Sequence, residues 1–184
     1  GTVVTSFSEL TAAVTKAEKA GGGIVYVKGS SISCTAQLAL KASNANVSII
    51  GVKNSDGTYP VLDFSAFRSA YIGKATTDSE VGIRISGSNY TIKNLIIQKA
   101  PDNGIQIKGS SAGNNTIENC IVRYNNDAGV QITGGAYSNT MRFVYSYRNC
   151  DVYTLGGNAD GFAPKLGAGK ENVFYGCYSW ENSD

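Results

Sequence analysis

The chain has 184 residues, a net charge of +2, 22 glycines, 3 prolines and no histidine. The small charge, with no cluster of Lys and Arg, argues against nucleic acid as a partner, and no run of 18 apolar residues predicts a membrane span. The missing histidine excludes Ser-His and Cys-His nucleophiles and the usual zinc sites, so catalysis would need carboxylates, Lys, Arg, Tyr, Cys or a hard metal ion.

The N-terminal residues 6–20 are predicted to form one short amphipathic helix. Ser6 and Glu9 have the spacing of a capping box at its start. Apolar residues recur at helical spacing from Leu10 to Ala17, and three glycines beginning at Gly21 end the helix.

Four short apolar runs follow the helix, and each is predicted to be a β-strand. Each run is about four residues long and is bounded by Gly, Ser, Asn or Asp, which is too short for a helix. The runs are 24–27, 38–40, 47–50 and 61–64.

The sequence of residues 82–184 repeats itself in four units. One set of segments begins at Gly82, Gly104, Gly129 and Gly161. A second set begins at Thr91, Thr116, Thr140 and Val173, at intervals of 25, 24 and 33 residues. Repeats of this length that contain only short strands are typical of a parallel β-helix, in which each coil stacks on the last. We therefore predict an all-β fold, a single parallel β-helix domain over residues 1–184, with four clear coils in 82–184.

Equivalent positions of the four coils support this stacking. The positions one and four residues after each start of the second set are apolar in every coil, as inward-facing positions require. The position nine residues after each start holds Ala100, Asn125, Asn149 and Asn182. Stacked asparagines can hydrogen bond along the helix axis, so these residues predict an asparagine ladder.

The four cysteines have no CxxC spacing, so a redox or zinc motif is not predicted, and Cys120 and Cys177 are predicted to be unpaired core residues. Cys120 and Cys177 share an inward position but lie two coils apart. At a strand spacing of about 4.8 Å that separation is roughly 9–10 Å. It exceeds the limit of about 7 Å for a disulfide.

An acid stands eleven residues after each start of the second set, at Asp102, Asp127, Asp151 and Asp184. Aspartate suits a turn, and this explanation is preferred for Asp102 and Asp127. Stacked like charges also repel one another, which favours a bound cation.

The turn of the third coil is longer than its neighbours, and its insertion brings Asp160 to the start of a strand. Long insertions in a solenoid lie on the functional face. Oxygen ligands without His or Cys suit Ca²⁺ rather than zinc.

The outward positions of the second set are aromatic in the last two coils, at Tyr145, Tyr147, Tyr178 and Trp180. Exposed rings can stack on sugars, and a loop packed over the sheet explains them equally well. Tyr178 and Trp180 are therefore candidate substrate-binding residues.

Lys165 ends its strand at the position of Ser86, Lys108 and Thr133, and is predicted to face outward. It is either a solvated charge or, beside the carboxylates, a counter-ion or a ligand for an anionic substrate.

The segment 158–184 carries a long motif, which reads Asn158-Ala-Asp-Gly-Phe-Ala-Pro-Lys165, then Gly169-Lys-Glu-Asn-Val-Phe174, Cys177 and Trp180-Glu-Asn-Ser-Asp184. This motif resembles the pectate lyases of polysaccharide lyase family 9. The resemblance implies a secreted, right-handed parallel β-helix enzyme with an N-terminal capping helix and an asparagine ladder.

The resemblance also implies calcium-dependent β-elimination on an acidic plant cell-wall polysaccharide, either polygalacturonate or rhamnogalacturonan. Calcium would bridge protein carboxylates and the uronate, and a lysine would remove the C5 proton. Asp160 matches the metal-ligand aspartate of the N-A-D-G-F motif, and Asp184 matches the first aspartate of the W-E-N-S-D run. In the family the other metal ligands and the catalytic lysine follow that run. The resemblance thus assigns no catalytic base within this chain, and Lys165 remains a substrate-binding candidate.

The chain is accordingly expected to be the N-terminal part of such a lyase. Its last coil would be covered by further coils of the same protein or by self-association at the open sheet edge. Two alternatives stay open at this point. One is an inverting polygalacturonase that uses paired acids and no calcium, and the other is a non-catalytic β-helix that serves as an adhesin or glycan-binding module.

Overall fold

Three short strands form each complete coil of the protein, and strands of successive coils pair in parallel. The computed structural model describes residues 1–184. In chain order the elements are β1 (Thr2–Val4), α1 (Phe7–Lys19), β2 (Gly23–Val27), β3 (Ser31–Ser33), β4 (Leu38–Leu40), β5 (Val47–Gly51), β6 (Val61–Asp63), α2 (Ser65–Arg68), a 3₁₀ turn (Ser69–Tyr71), β7 (Ile83–Ile85), β8 (Tyr90–Lys93), β9 (Ile96–Gln98), β10 (Ile105–Lys108), β11 (Thr116–Glu118), β12 (Ile121–Arg123), β13 (Val130–Thr133), β14 (Thr140–Arg142), β15 (Tyr145–Tyr147), β16 (Phe162–Pro164), β17 (Val173–Tyr175) and β18 (Tyr178–Trp180).

The strands form three parallel sheets, which confirms the predicted parallel β-helix. The first sheet has the order β1-β2-β5-β8-β11-β14-β17, the second β4-β7-β10-β13-β16 and the third β3-β6-β9-β12-β15-β18. The predicted register is also confirmed: Thr91 pairs with Thr116, Thr116 with Thr140, and Thr140 with Val173. Inward side chains of all three sheets share one core, as a coil without any other core requires.

Each segment of the second repeat set consists of two strands rather than one. The chain bends at a residue with positive φ, so that β8 belongs to the first sheet and β9 to the third. The bend residues of the four coils are Asn94, Asn119, Phe143 and Gly176, with φ between 53° and 61°. Asn and Gly tolerate this left-handed conformation, whereas Phe143 does not favour it, and the strand pairing on both sides holds it there.

The N-terminal helix covers one end of the core, and its predicted bounds differ from the observed ones by one residue at each end. Ser6 is the N-cap: its hydroxyl accepts a hydrogen bond from the Glu9 amide at 3.3 Å. The Glu9 carboxylate accepts one from the Ser6 amide at 3.2 Å, which completes the predicted capping box. Leu10 and Val14 are buried against the first coil, so this helix closes the core that a solenoid would otherwise expose.

The predicted asparagine ladder is present, and a second one accompanies it. In the first ladder the Asn125 side-chain amide donates to Asn149 Oδ1 at 2.9 Å, and the Asn149 amide donates to Asn182 Oδ1 at 2.8 Å. The second ladder, which we did not predict, joins Asn115, Asn139 and Asn172 by equivalent bonds of 3.0 Å. Its signal in the sequence is an asparagine immediately before a start of the second repeat set.

The cysteines, the shortest elements and the helix lengths complete the description of the fold. The cysteines are free, as predicted for Cys120 and Cys177; Cys120 is buried and Cys177 is half-buried. Strands β1 and β3, helix α2 and the 3₁₀ turn were not predicted, because they are three or four residues long and carry no periodic pattern. No helix has the length and apolar character that crossing a membrane requires.

Candidate active site

A polar cleft of about 390 Å³ lies on the outer face of the second sheet. Gln106 and Gln131 point into it from β10 and β13, at positions that alternate with the inward Ile and Val residues of those strands. The turns that lead from the third sheet to the second supply acidic residues to its wall. These acids are Asp102, Asp127 and Asp151, and the amide of Asn103 lines the cleft beside them.

Asp102 and Asp127 form a buried carboxyl pair in this cleft. Asp102 is only 7% exposed. Burial, the hydrogen bond with Asp127 and the Asp127 charge raise the pKa of Asp102 to about 8. Burial also raises the pKa of Asp127, against the hydrogen bond from Asp102 and the backbone amide of Ala128. We therefore expect the pair to hold one shared proton at neutral pH, which a solvated turn aspartate would not do.

The opposite wall carries an ionised acid, Asp78, that is fully compensated. Its carboxylate accepts hydrogen bonds from Lys108 Nζ at 2.6 Å and Gln106 Nε2 at 3.0 Å, and Arg84 lies 3.2 Å away. Burial acts to raise the pKa of Asp78, but the Lys108 and Gln106 hydrogen bonds and the Arg84 charge outweigh it and lower the pKa to about 2.

The two predicted metal ligands lie in adjoining turns. Asp160 precedes β16, and its carboxylate pairs with Lys165 Nζ at 2.7 Å, each side chain being 33% exposed. Asp184 is exposed, and its carboxylate accepts a hydrogen bond from the Asn158 amide at 3.1 Å. This bond ties the turn that carries Asp160 to Asp184. The contact of Lys165 with Asp160 makes it a counter-ion rather than a solvated charge.

The chemistry of this donor set fits calcium, although only in part. Both ligands are carboxylates, and calcium prefers oxygen. The chain holds no group of three or more His, Cys, Asp or Glu side chains placed to bind one metal ion. Calcium takes six to eight oxygens, so Asp160 and Asp184 would supply a fraction of its shell. Their assignment as metal ligands stays a prediction.

The predicted sugar-stacking residues lie on a different sheet from the cleft. Tyr178 and Trp180 project from β18 of the third sheet, 63% and 41% exposed. Trp180 stacks on Tyr147 with ring centroids 4.4 Å apart, and Tyr178 meets Tyr145 edge to face at 5.4 Å. The structure therefore does not bring these rings together with Asp102 and Asp127, and their role in binding stays a prediction.

The cleft contains residues that sequence reasoning missed, namely Asp78, Asn103, Gln106 and Gln131. The strand register offers one signal for the two glutamines. Gln106 pairs with Gln131 on neighbouring strands, so two amide side chains lie side by side at an outward position that is usually exposed. Both side chains are buried, and Gln106 Nε2 donates to Gln131 Oε1 at 2.7 Å. Asp78 had no signal, because a loop outside the repeats carries it.

The carboxyl pair predicts that stability falls as the pH rises from 5 to 8. Asp102 keeps its proton in the folded state up to about pH 8, whereas in the unfolded chain it loses that proton near pH 4. The folded state thus binds more protons in this window, and the free energy of unfolding should decrease by up to about 1.4 kcal/mol per pH unit. The measurement is urea denaturation at several pH values.

Asp102→Asn is the matched control for this prediction. It removes the titrating group while keeping its shape, so the slope should flatten, and no histidine contributes to the same window. An equal slope in the wild-type and Asp102→Asn proteins would contradict the shared proton.

Comparison with known proteins shows the family and fold to which this geometry is similar. A family model described as the Pel9A-like, right handed beta helix region matches residues 1–184. Pectate lyase L of Paenibacillus polymyxa (strain SC2) is 34% identical over 173 residues, which are 90% of this chain and 37% of that protein. Pectate lyase L of Dickeya chrysanthemi is 35% identical over 133 residues, 72% of this chain and 25% of that protein.

Solved structures agree with the family model. The crystal structure of pectate lyase Pel9A superposes with a TM-score of 0.73 at 27% identity, over 97% of this chain and 43% of that one. A rhamnogalacturonan lyase gives a TM-score of 0.67 at 22% identity, over 89% of this chain and 44% of that one, which shows a shared fold alone. The chain thus spans between a quarter and less than half the length of these relatives.

Proposed function

We propose, because this chain belongs to the Pel9A-like right-handed β-helix family, that the protein is a polysaccharide lyase that cleaves acidic pectin by calcium-dependent β-elimination. The predicted resemblance to the family 9 pectate lyases and the right-handed β-helix are thereby confirmed. The activity, its substrate and its calcium dependence are our proposal. The observation that carries it is the similarity of 90% of this chain to a protein named pectate lyase L.

The geometry of the Asp160 turn supports a cation there. In this structure Lys165 compensates the Asp160 carboxylate, and the Asn158 amide holds the carboxylate of Asp184. Calcium, when bound by Asp160 and Asp184, would supply positive charge against the uronate carboxylate and so make the C5 proton more acidic. The other ligands would come from the substrate, from water or from other parts of the protein.

The residues of this chain then have defined tasks. Asp160 and Asp184 would hold the cation, and Lys165, once free of Asp160, would pair with a uronate carboxylate of the polymer. Tyr178 and Trp180 offer exposed rings on which sugar residues can stack. We assign no base to this chain, because the resemblance places the catalytic lysine after the W-E-N-S-D run and Lys165 belongs to the earlier motif around Asp160. Secretion belongs to the same proposal, since the substrate is an extracellular plant polymer.

The direct test incubates the full-length protein that carries this chain with polygalacturonate and, separately, with rhamnogalacturonan. β-Elimination leaves an unsaturated chain end that absorbs ultraviolet light, and hydrolysis does not. We expect absorbing products from at least one polymer, complete loss of them after a calcium chelator, and recovery when calcium is returned.

Two other outcomes would contradict this function. New reducing ends without ultraviolet absorbance, unaffected by chelator, would identify a hydrolase of the inverting polygalacturonase kind. Binding of either polymer in the presence of calcium, without any cleavage, would identify a glycan-binding module.

A further inference from the structure

The polar cleft contains two buried polar atoms that have no partner. They are Asn103 Nδ2, a donor, and Gln106 Oε1, an acceptor. Asn103 is 1% exposed and Gln106 is 3% exposed, and both line the cleft. Buried amide groups in folded proteins are almost always hydrogen-bonded, so an unpaired donor and an unpaired acceptor in one cleft point to a ligand that both donates and accepts.

The charge of the cleft restricts what this ligand can be. The ion pairs of the protein leave Asp102, Asp127 and Asp151 without a cation within 4.0 Å. Lys165 is paired with Asp160 and acts on Asp127 only at longer range. With one proton on the Asp102–Asp127 pair, the pair and Asp151 still carry uncompensated negative charge. A carboxylate that entered the cleft would be repelled by it.

A metal ion fits the cleft less well than a hydroxyl-bearing ligand does. A cation would satisfy Gln106 Oε1 but would leave the Asn103 amide unpaired, and no three acids of the chain are placed to bind one metal ion. A sugar hydroxyl can accept from Asn103 and donate to Gln106 or to the carboxyl pair. The volume of about 390 Å³ lies within the range of small-molecule sites.

We propose that the cleft formed by Asp102, Asn103, Gln106 and Asp127 is a subsite that binds an uncharged sugar residue of the polymer and rejects a uronate. This inference rests on the proposed function for the identity of the polymer. The cleft lies on coils that precede the Asp160 turn, so it would read a sugar other than the one beside the cation. A lyase with this subsite favours polymers in which acidic residues alternate with neutral sugars or are partly esterified.

The test compares two probes with the same sugar backbone, tetragalacturonate and its fully methyl-esterified form, in which methyl esters replace the charged carboxylates. Isothermal titration calorimetry is done on the protein in chelator, so that the proposed calcium site does not contribute. We expect the ester to bind about tenfold more tightly than the acid, a difference of about 1.4 kcal/mol. Asp127→Asn should reduce this preference to less than about threefold. That variant keeps an oxygen for the Ala128 amide, which now donates to Asp127 Oδ1 at 2.7 Å.

Matched variants separate the cleft from other acidic surfaces. Asp56→Asn, which removes an exposed acid of the loop between β5 and β6, should leave the preference unchanged. Equal or tighter binding of the acid form by the wild-type protein would overturn the proposal, as would binding of neither probe.

Calcium binding that Asp127→Asn abolishes and Asp160→Asn preserves would also overturn the proposal, because it would show that the cleft is a cation site. These binding measurements use no turnover, so they test the subsite separately from the proposed function. The preference for the ester can be absent while unsaturated products form, and it can be present while no such products form.

Discussion

An Asn149→Ala protein is expected to lose about 3–5 kcal/mol of unfolding free energy. Asn149 is fully buried, and its Oδ1 accepts from both the backbone and the side-chain amide of Asn125. Its own backbone and side-chain amides donate to Asn182 Oδ1. Alanine removes the shared acceptor of two buried donors of Asn125, whereas Asn182 Oδ1 keeps the backbone amide of residue 149. Each stranded donor costs about 1–3 kcal/mol.

Asn54→Ala is the control for the ladder, because Asn54 lies in an exposed loop and its side chain makes one bond, to Thr58 Oγ1 at 3.1 Å. We expect its effect to stay within about 0.5 kcal/mol. Urea denaturation followed by circular dichroism measures both variants. Similar losses in Asn149→Ala and Asn54→Ala would mean that the ladder contributes nothing specific to stability.

Asp160→Asn is expected to reduce kcat/KM at low calcium concentration by at least about 100-fold. Asparagine keeps the shape of the side chain but removes the charge that attracts the cation, and metal stabilisation of developing charge contributes several kcal/mol, about 1.4 kcal/mol for each tenfold in rate. Raising the calcium concentration should restore part of the activity. The measurement is a calcium titration of the rate at which unsaturated products form.

The control for Asp160 is again Asp56→Asn, which removes an acid of the same size from an exposed loop. It should leave both the rate and the calcium midpoint unchanged. If Asp160→Asn titrated with calcium as the wild-type protein does, the assignment of Asp160 as a metal ligand would be wrong.

Much of the fold follows from the sequence because the β-helix repeats one local pattern. The inward residues Ile92, Ile117, Met141 and Phe174 recur at the same place in each coil, and a slip of one residue would turn them all outward. The same regularity identified Asn125, Asn149 and Asn182 as a ladder. It did not reveal the bends at Phe143 and its equivalents, since no residue type there is typical of a left-handed conformation in every coil.

The candidate site was predictable only in part. The motif around Asp160 and Asp184 was visible because its residues lie close together in sequence. For Asp102 and Asp127 a turn was the preferred explanation, because their burial is not encoded near them. It arises where the loop that carries Asp78 and the long turn after Asp151 enclose the outer face of the second sheet.

The sequence by itself therefore determined the coils, their register and the acidic position in each turn, because these depend on a periodic pattern that every coil repeats. Only the tertiary structure decided which acids share a proton, which pair with lysine and which amides stay unpaired. Those properties depend on distances between turns and on loops without any repeat. The physical reason is that the charge state of a carboxylate follows its desolvation and its neighbours, and both are fixed only when the coils have stacked.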